Sequence, residues 1–513
     1  MTDVGEAFRQ NEILLTGSNG FLGKVVLGLL LDRYPHLKHV HLLLRPGTYP
    51  SAAERFEHEV LESPALVAVV ERLGRAHLRK KVTVWEGDLG EEDAGLSADD
   101  LERLRGRIQV IINCAGKVDF FPPVDESLRA NVEGVEHVVG LTKKLGAKLV
   151  HVSTCFVAGE AEGLIEESDA ILGFYPRRRD GRDLSFDHRR EIEYLRDQIR
   201  LIEESAAGAP HLKESRERRV ALGRRRAEHW GWVNTYTYTK SLGEQIIASD
   251  PDLDWAIVRP AIVESALRFP FPGWIEGGRT AAPLVLMALG GMKHWPVRRD
   301  TPLEVVPVDL VAAALLVVAA TVLCGRHERV YQLGTADVHP IRLGPLVHLL
   351  VRESQRRNRG NGGVSRMFRW WVGAGPARIV TASEMRRRRE RFERRLRKIQ
   401  NLLEGMNRMA RTASLPGRRS LFQLTSKLRT LELQAKFREQ TLDQYLPFVL
   451  HNRYIFESEN IRAAYARLTP RDRELLPWDP EHIHWKKYWV EHQIEGIEKW
   501  VQPEAVKEWA FKI

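Results

Sequence analysis

Six short runs, "EILLTG", "HVHLLLR", "KVTVWEGD", "VIINCAG", "KLVHVST" and "WAIVRP", are apolar almost without interruption. A strand with one wet face alternates apolar and polar residues, whereas an unbroken run suits a strand covered on both faces of a parallel sheet. Helix-length stretches such as "FLGKVVLGLLLDRY" and "NVEGVEHVVGLTKKL" stand between the runs. Strand, helix, strand, repeated from Asn11 to about Pro345, predicts an α/β fold with a doubly wound parallel sheet. At 513 residues the chain is too long for one ordinary core, so two or three domains are expected. The pattern sets a nucleotide-binding domain at 1–345, with a charged helical insertion at about 160–232. An Arg-rich amphipathic region follows at 346–440, and a small, mainly helical C-terminal domain at 441–513.

Several classes of protein are disfavoured at once. The longest apolar run, Leu310 to Gly325, falls short of the roughly 20 residues that a membrane-spanning helix needs and predicts a buried helix instead. No basic segment followed by an apolar one opens the chain, so no secretory signal is expected. Cys114, Cys155 and Cys324 lie far apart without CxxC spacing, which argues against a disulfide framework or a zinc site and suits a reducing cytoplasm. The net charge of +10 is concentrated: residues 351–440 hold 24 Lys/Arg and 7 Asp/Glu, a balance of +17 against −7 for the rest.

The first strand and helix enclose "TGSNGFLG", which places Gly17, Gly20 and Gly23 on a strand-to-helix turn. Such a turn lets backbone approach a pyrophosphate and aims free N–H groups of a helix N-terminus at negative charge. This makes the sheet Rossmann-type. An NAD enzyme would end its second strand with Asp or Glu for the ribose 2′-hydroxyl; this chain has Arg45, which suits a 2′-phosphate and points to NADPH. Asp88, after the third strand, stands where a carboxylate could meet the adenine, or where any turn takes an aspartate.

Downstream, "NTYTYTKSLGE" carries two tyrosines and a lysine. Residues four apart share a helix face and residues two apart do not, so Tyr236 pairs with Lys240 while Tyr238 faces about 200° away. An ammonium beside a phenol favours the phenolate and should lower its pKa, making Tyr236 a candidate general acid. A second donor to a developing oxyanion could come from Ser153 or Thr154 at the end of the fifth strand. Spacing alone does not choose between them. No histidine is evidently paired with Cys155, which speaks against a cysteine nucleophile.

Together these pieces resemble the extended short-chain dehydrogenase/reductase superfamily and, within it, the fatty acyl-CoA reductases. The resembling stretches run from residue 16 to about 317 and include "TGSNGFLGKVVLGLLL", "NCAGKVDF", "HVSTCFVAG", "NTYTYTKSLGE", "IVRPAIVES", "FPFPGWIEG" and "LEVVPVDLVAAALL". The tail, "LPFVLHNRYIFESENIRAAYARL", looks like the family's C-terminal helical domain. The resemblance implies a catalytic group of Thr154, Tyr236 and Lys240. Thr154 takes precedence because the family's hydroxyl lies five residues before the glycine matched by Gly159. It further implies cofactor contacts from Gly17, Gly20, Phe21, Leu22, Gly23, Arg45, Asp88, Leu89, Lys240, Pro260, Ala261 and Ile262, with Arg259 to Ala261 closing over the nicotinamide. No metal is implied. The expected reaction is NADPH-dependent reduction of long-chain fatty acyl-CoA to fatty alcohol through an aldehyde. Two departures stand out: "NCAG" replaces a more usual His-containing version, and 82 residues separate Thr154 from Tyr236, a gap that the insertion accounts for.

Two other readings remain at this point. A thioester reductase acting on carrier-bound acyl groups would stop at aldehyde, although no carrier or adenylation domain accompanies the chain. A non-catalytic NADPH-binding sensor or scaffold would not need Thr154, Tyr236 and Lys240 together. In the basic region, Phe392, Leu396, Ile399, Leu402 and Leu403 recur at helical spacing among arginines. With "RMFRWWVGAG", this makes 366–436 a candidate contact with anionic membrane, against the alternative of a solvated charged face. A cytoplasmic protein with peripheral membrane contact is the resulting expectation. No nucleic-acid reader motif accompanies the charge, so nucleic-acid binding is not expected.

Overall fold

The computed structural model describes residues 1–181, 185–205, 212–278, 280–360, 376–412 and 439–501, together with Ser426, Glu432 and Lys436. Seven strands form one sheet: β1 (Glu12–Thr16), β2 (His39–Leu44), β3 (Val82–Glu86), β4 (Ile108–Asn113), β5 (Lys148–Val152), β6 (Trp255–Pro260) and β7 (Val330–Leu333). Their order is β7-β6-β5-β4-β1-β2-β3, and every pairing is parallel. The expected doubly wound sheet is present. All residues of β1 and of β6 are buried, as unbroken apolar runs require. Strand order reverses on either side of β1, where β4 lies on one flank and β2 on the other. Open sheets of this kind bind ligands at the carboxyl ends of the strands there.

Helices α1 (Phe21–Arg33), α2 (Gly134–Leu145), α3 (His188–Ser205), α4 (Leu212–Trp230), α5 (Thr235–Ala248) and α6 (Val308–Leu323) accompany the sheet. Helix α6 covers most of the long apolar run; it is buried from Val308 to Val322 and packs against α1, β4, β5 and β6. Among the described residues no helix is long and apolar enough to cross a membrane. Helices α3 and α4, within the charged insertion, share a core with α5: Ile192, Leu195, Leu222, Trp232, Tyr238 and Leu242 all belong to it.

The chain separates into two compact units, each assembled from distant segments. One comprises Met1–Thr280, Glu304–Pro340 and Tyr454–Gly496; the other comprises Ala281–Leu303, Ile341–Arg453 and Ile497–Ile513. This interleaving differs from three consecutive domains, because hydrogen bonds stitch the 454–496 segment into the first unit. Glu304 accepts from the Phe456 amide at 2.8 Å, Glu167 from the Asn460 amide at 2.7 Å, and Asp337 from the Ser458 amide at 2.8 Å. In the second unit, α7 (Leu343–Gly360) packs on the short helix Ala282–Leu289, and α8 (Ala382–Thr412) carries the arginine run. The apolar positions of α8 divide: Leu396 and Leu403 are buried, whereas Ile399 and Leu402 are exposed. The "RMFRWWVGAG" stretch, most of 404–436 and the last twelve residues lie outside the described residues.

Candidate active site

The chain leaves β1 at Thr16 and enters α1 at Phe21. Of the three glycines of this turn and the first turn of α1, Gly17 and Gly23 are demanded by the protein's own backbone. Gly17 has φ +69°, and a Cβ there would stand 2.7 Å from the Ala115 nitrogen; one on Gly23 would stand 2.1 Å from the Gly17 carbonyl oxygen. Gly20 differs. Its φ of −83° suits any residue, and a Cβ there would meet only the Gly17 oxygen, at 3.3 Å. Close approach by a ligand is a reason for glycine that the internal packing does not give. Gly20 provides no side-chain cap for the first-turn amides of α1, and the buried Ser18 hydroxyl has no hydrogen-bond partner among the described residues. An uncapped helix N-terminus beside an orphaned hydroxyl fits a pyrophosphate. Against that first turn lean Trp274, whose ring lies 5.1 Å from Phe21, and Glu276, which Lys24 Nζ meets at 2.7 and 2.8 Å.

At the end of β2, Arg45 is mostly exposed, with Nη1 3.6 Å from Asp88 Oδ2. Asp88 also accepts from the Gly90 amide at 2.8 Å, so its turn role and its pairing coexist. The Leu89 carbonyl next to it is 2.7 Å from His137 Nδ1. Sequence reasoning missed Arg55, which donates to the Arg45 carbonyl at 3.1 Å and brings a second guanidinium to this corner. Only an arginine one helix turn before Glu59, its partner at 2.9 Å, could have signalled it.

On the other side of the sheet, Thr154 follows β5 and caps the short turn Cys155–Ala158. Its hydroxyl accepts from the Phe156 amide at 3.3 Å and donates to the Pro260 carbonyl at 3.4 Å, both long bonds. Ser153 Oγ is buried without a partner among the described residues. After Pro260, the Ala261 amide donates to Leu333 and the Ile262 amide to Glu304, each at 3.1 Å, while Arg259 forms a buried bidentate pair with Glu244 at 2.9 and 2.6 Å. Arg259 is therefore a strut between β6 and α5. Cys155 Sγ donates to the Arg259 carbonyl at 2.7 Å, and burial raises its thiol well above the ordinary range, so it is no nucleophile.

Helix α5 separates its tyrosines. Tyr238 is fully buried in the insertion core, and its hydroxyl donates to Glu191, which Arg226 holds at 2.8 and 2.6 Å. Tyr236 is half-buried, and its hydroxyl has no partner among the described residues. Lys240 Nζ reaches the tip of β5, donating to the Val152 carbonyl at 2.7 Å and lying 3.1 Å from His151 Nε2. One expectation needs correcting here. Burial raises the Tyr236 phenol instead of the lysine lowering it, because the Lys240 nitrogen is engaged at the strand tip. Burial also brings Lys240 down to about 8, against the opposing pull of Glu244 and Cys114.

Sheet, glycine turn, and a tyrosine and lysine one helical turn apart define a class: dinucleotide-binding proteins of the short-chain dehydrogenase/reductase type. The family model for male sterility protein matches residues 15–315. Alcohol-forming fatty acyl-CoA reductase of Simmondsia chinensis is 32% identical over 362 residues, 69% of this chain and 72% of that protein. Probable fatty acyl-CoA reductase 5 of Arabidopsis thaliana is 32% identical over 354 residues, 67% of this chain and 70% of the relative. The chain belongs to the fatty acyl-CoA reductase family. It is an oxidoreductase of acyl groups that uses a nicotinamide cofactor. The reductase domain of a non-ribosomal peptide synthetase from Mycobacterium tuberculosis shares the fold, with a TM-score of 0.53 and 18% identity over 96% of this chain and 95% of that one.

Proposed function

We propose that the protein reduces long-chain fatty acyl-CoA to fatty alcohol through an aldehyde, with NADPH as the electron source. The observation that supports this reading is the tip of β5, where Lys240 donates to the Val152 carbonyl two residues before Thr154, in a chain of this family. Gly17, Gly20, Gly23 and the amides of Phe21 and Leu22 would hold the pyrophosphate. Arg45, with Asp88 and Leu89 beside it, would take the 2′-phosphate end, and Pro260, Ala261 and Ile262 the nicotinamide end. When bound, the cofactor supplies hydride. Tyr236, kept protonated by burial, gives its proton to the carbonyl oxygen as that oxygen gains charge. The Thr154 hydroxyl exchanges its long bond to Pro260 for the same oxygen. Lys240 anchors the ribose side and returns a proton to Tyr236. The C–S bond of the resulting hemithioacetal then breaks, releasing CoA as the thiol and leaving an aldehyde, which the same residues serve through a second reduction.

Carrier-bound thioesters as substrate draw support only from a fold likeness at 18% identity, which says nothing of substrate. Contact with anionic lipid is proposed for α8. Its exposed arc bears Arg388, Arg391 and Arg395 next to the exposed Ile399 and Leu402, a cationic face with apolar tips. The test of the main reading is purified protein with a long-chain acyl-CoA and either NADPH or NADH, following absorbance loss and identifying products. Alcohol formed with NADPH in preference to NADH is expected. Activity only with carrier-bound acyl groups, or product stopping at aldehyde, would overturn it.

A further inference from the structure

The corner between α4 and α5 touches both Thr154 and Tyr236. Helix α4 stops before Gly231, whose φ of +97° turns the chain toward α5; a Cβ there would stand 2.7 Å from Arg177 Cγ. The next residue, Trp232, is fully buried and stands two places before Asn234, the cap of α5, and four before Tyr236. Its indole nitrogen is a donor only, and Nε1 donates to the Val157 carbonyl at 2.8 Å. Val157 lies in the Cys155–Ala158 turn that Thr154 caps, and its own amide donates to the Thr154 carbonyl at 3.3 Å. One residue therefore grips the Thr154 turn with its side chain while its backbone leads into the helix that carries Tyr236.

The packing around this bond joins the same two elements. The Trp232 ring lies 5.5 Å from Phe186 of the insertion and 5.3 Å from Tyr238 of α5. Helix α5 packs directly on the Cys155–Ala158 turn. Beyond that turn, the Glu160 amide donates to the Gly231 carbonyl at 2.8 Å. Helix α4 also crosses the start of α5 closely: a Cβ on Gly223 would stand 2.9 Å from Thr235, the residue before Tyr236. The charged insertion thus ends in a corner fastened to the strand tip on one side and to the tyrosine helix on the other.

We propose that Trp232 is a positioning residue that sets the Thr154 hydroxyl relative to Tyr236, its indole N–H tying the turn after β5 to the start of α5. Its consequence for turnover rests on the function proposed above; the tether itself does not. Two hydroxyls that serve one oxygen must be placed to a fraction of an ångström, and a misplacement of about 1 Å costs about 100-fold in rate.

The variant that isolates the bond replaces Trp232 with 3-benzothienylalanine, which keeps the bicyclic ring and has sulfur in place of N–H. Trp232→Phe removes the donor too, but leaves space in the core, so its Tm should fall as well. Hydrogen–deuterium exchange read by mass spectrometry needs no turnover. Amides of residues 155–160 should exchange about tenfold faster in the benzothienyl protein, as loss of one net hydrogen bond implies. Tyr238→Phe, which strips a hydrogen bond elsewhere in the same core, should leave them unchanged. Exchange unaltered by loss of the N–H would overturn the proposal even if the reductase reading stands. A protein that reduced no acyl-CoA would leave this measurement fully informative. In the kinetic arm, kcat should fall about 10- to 100-fold while the dissociation constant of NADPH changes little. An unchanged kcat, or a parallel loss of kcat and NADPH affinity, would mean a merely structural tryptophan and would also overturn the proposal.

Discussion

Replacing Gly20 with Ala separates ligand geometry from folding. The added methyl would meet the Gly17 oxygen at 3.3 Å and nothing else within 4 Å, on backbone at φ −83° and ψ 166° that any residue adopts. Ala restricts the unfolded chain, favouring the fold by about 0.4–1 kcal/mol. As an N-cap it is poorer than Gly by up to about 1 kcal/mol. The two offset, so Tm should move by no more than about 4 °C. On the proposed reading the same methyl would stand where pyrophosphate oxygens approach the first-turn amides, and loss of one or two charge-assisted hydrogen bonds should weaken NADPH by about 10- to 100-fold. Gly23→Ala is the contrast: a Cβ 2.1 Å from the Gly17 oxygen forces backbone to move, and overpacking costs about 1–3 kcal/mol. Its Tm should fall together with binding. NADPH fluorescence titration beside thermal unfolding reads both. If Gly20→Ala bound NADPH like the wild type, this turn would not be the pyrophosphate cradle.

The two tyrosines should part in their effects. Tyr236→Phe is expected to lower kcat by about 10²–10⁴-fold at unchanged Tm, whereas Tyr238→Phe, which strips a donor from Glu191, should cost about 1–3 kcal/mol of stability with little change in kcat. Arg45→Ala should raise the KM for NADPH about tenfold or more and leave that for NADH nearly unchanged, read from initial rates with each cofactor. Burial raises the Glu304 carboxyl to about 7 and Glu167 to about 8, above the usual carboxylate range. Groups shifted upward stabilise the fold at acid pH and lose that contribution as pH rises through the raised values. Tm should therefore decline between pH 5 and 8, and Glu304→Gln should flatten the slope. For α8, vesicles containing phosphatidylserine should sediment the protein at low salt and vesicles of phosphatidylcholine alone should not. Combined Arg388→Glu, Arg391→Glu and Arg395→Glu should abolish the binding.

The sheet was legible because parallel strands buried on both faces leave unbroken apolar runs, and all six runs fall on β1 to β6. Strand β7 escaped notice: "VYQL" is four residues long, with glutamine in the middle. The buried helix over the long apolar run was equally readable. Tail placement was not, since Glu167, Glu304 and Asp337 look like ordinary surface carboxylates until their partners, more than a hundred residues away, are known. In the site, helical periodicity separated Tyr236 from Tyr238 on sight. What Lys240 touches was hidden, because a histidine inside an apolar strand gives no sign of facing a lysine 89 residues on. Arg55 was hidden too, being one arginine among many.

The most direct test of the account counts hydrides. NADPH deuterated at its transferable C4 position, incubated with the protein and a long-chain acyl-CoA, should give primary alcohol carrying two deuterium atoms on C1, and Tyr236→Phe should give almost none. Unlabelled product, a single deuterium in an end-product alcohol, or full labelling by the Tyr236→Phe protein would contradict two successive reductions at one tyrosine-bearing site.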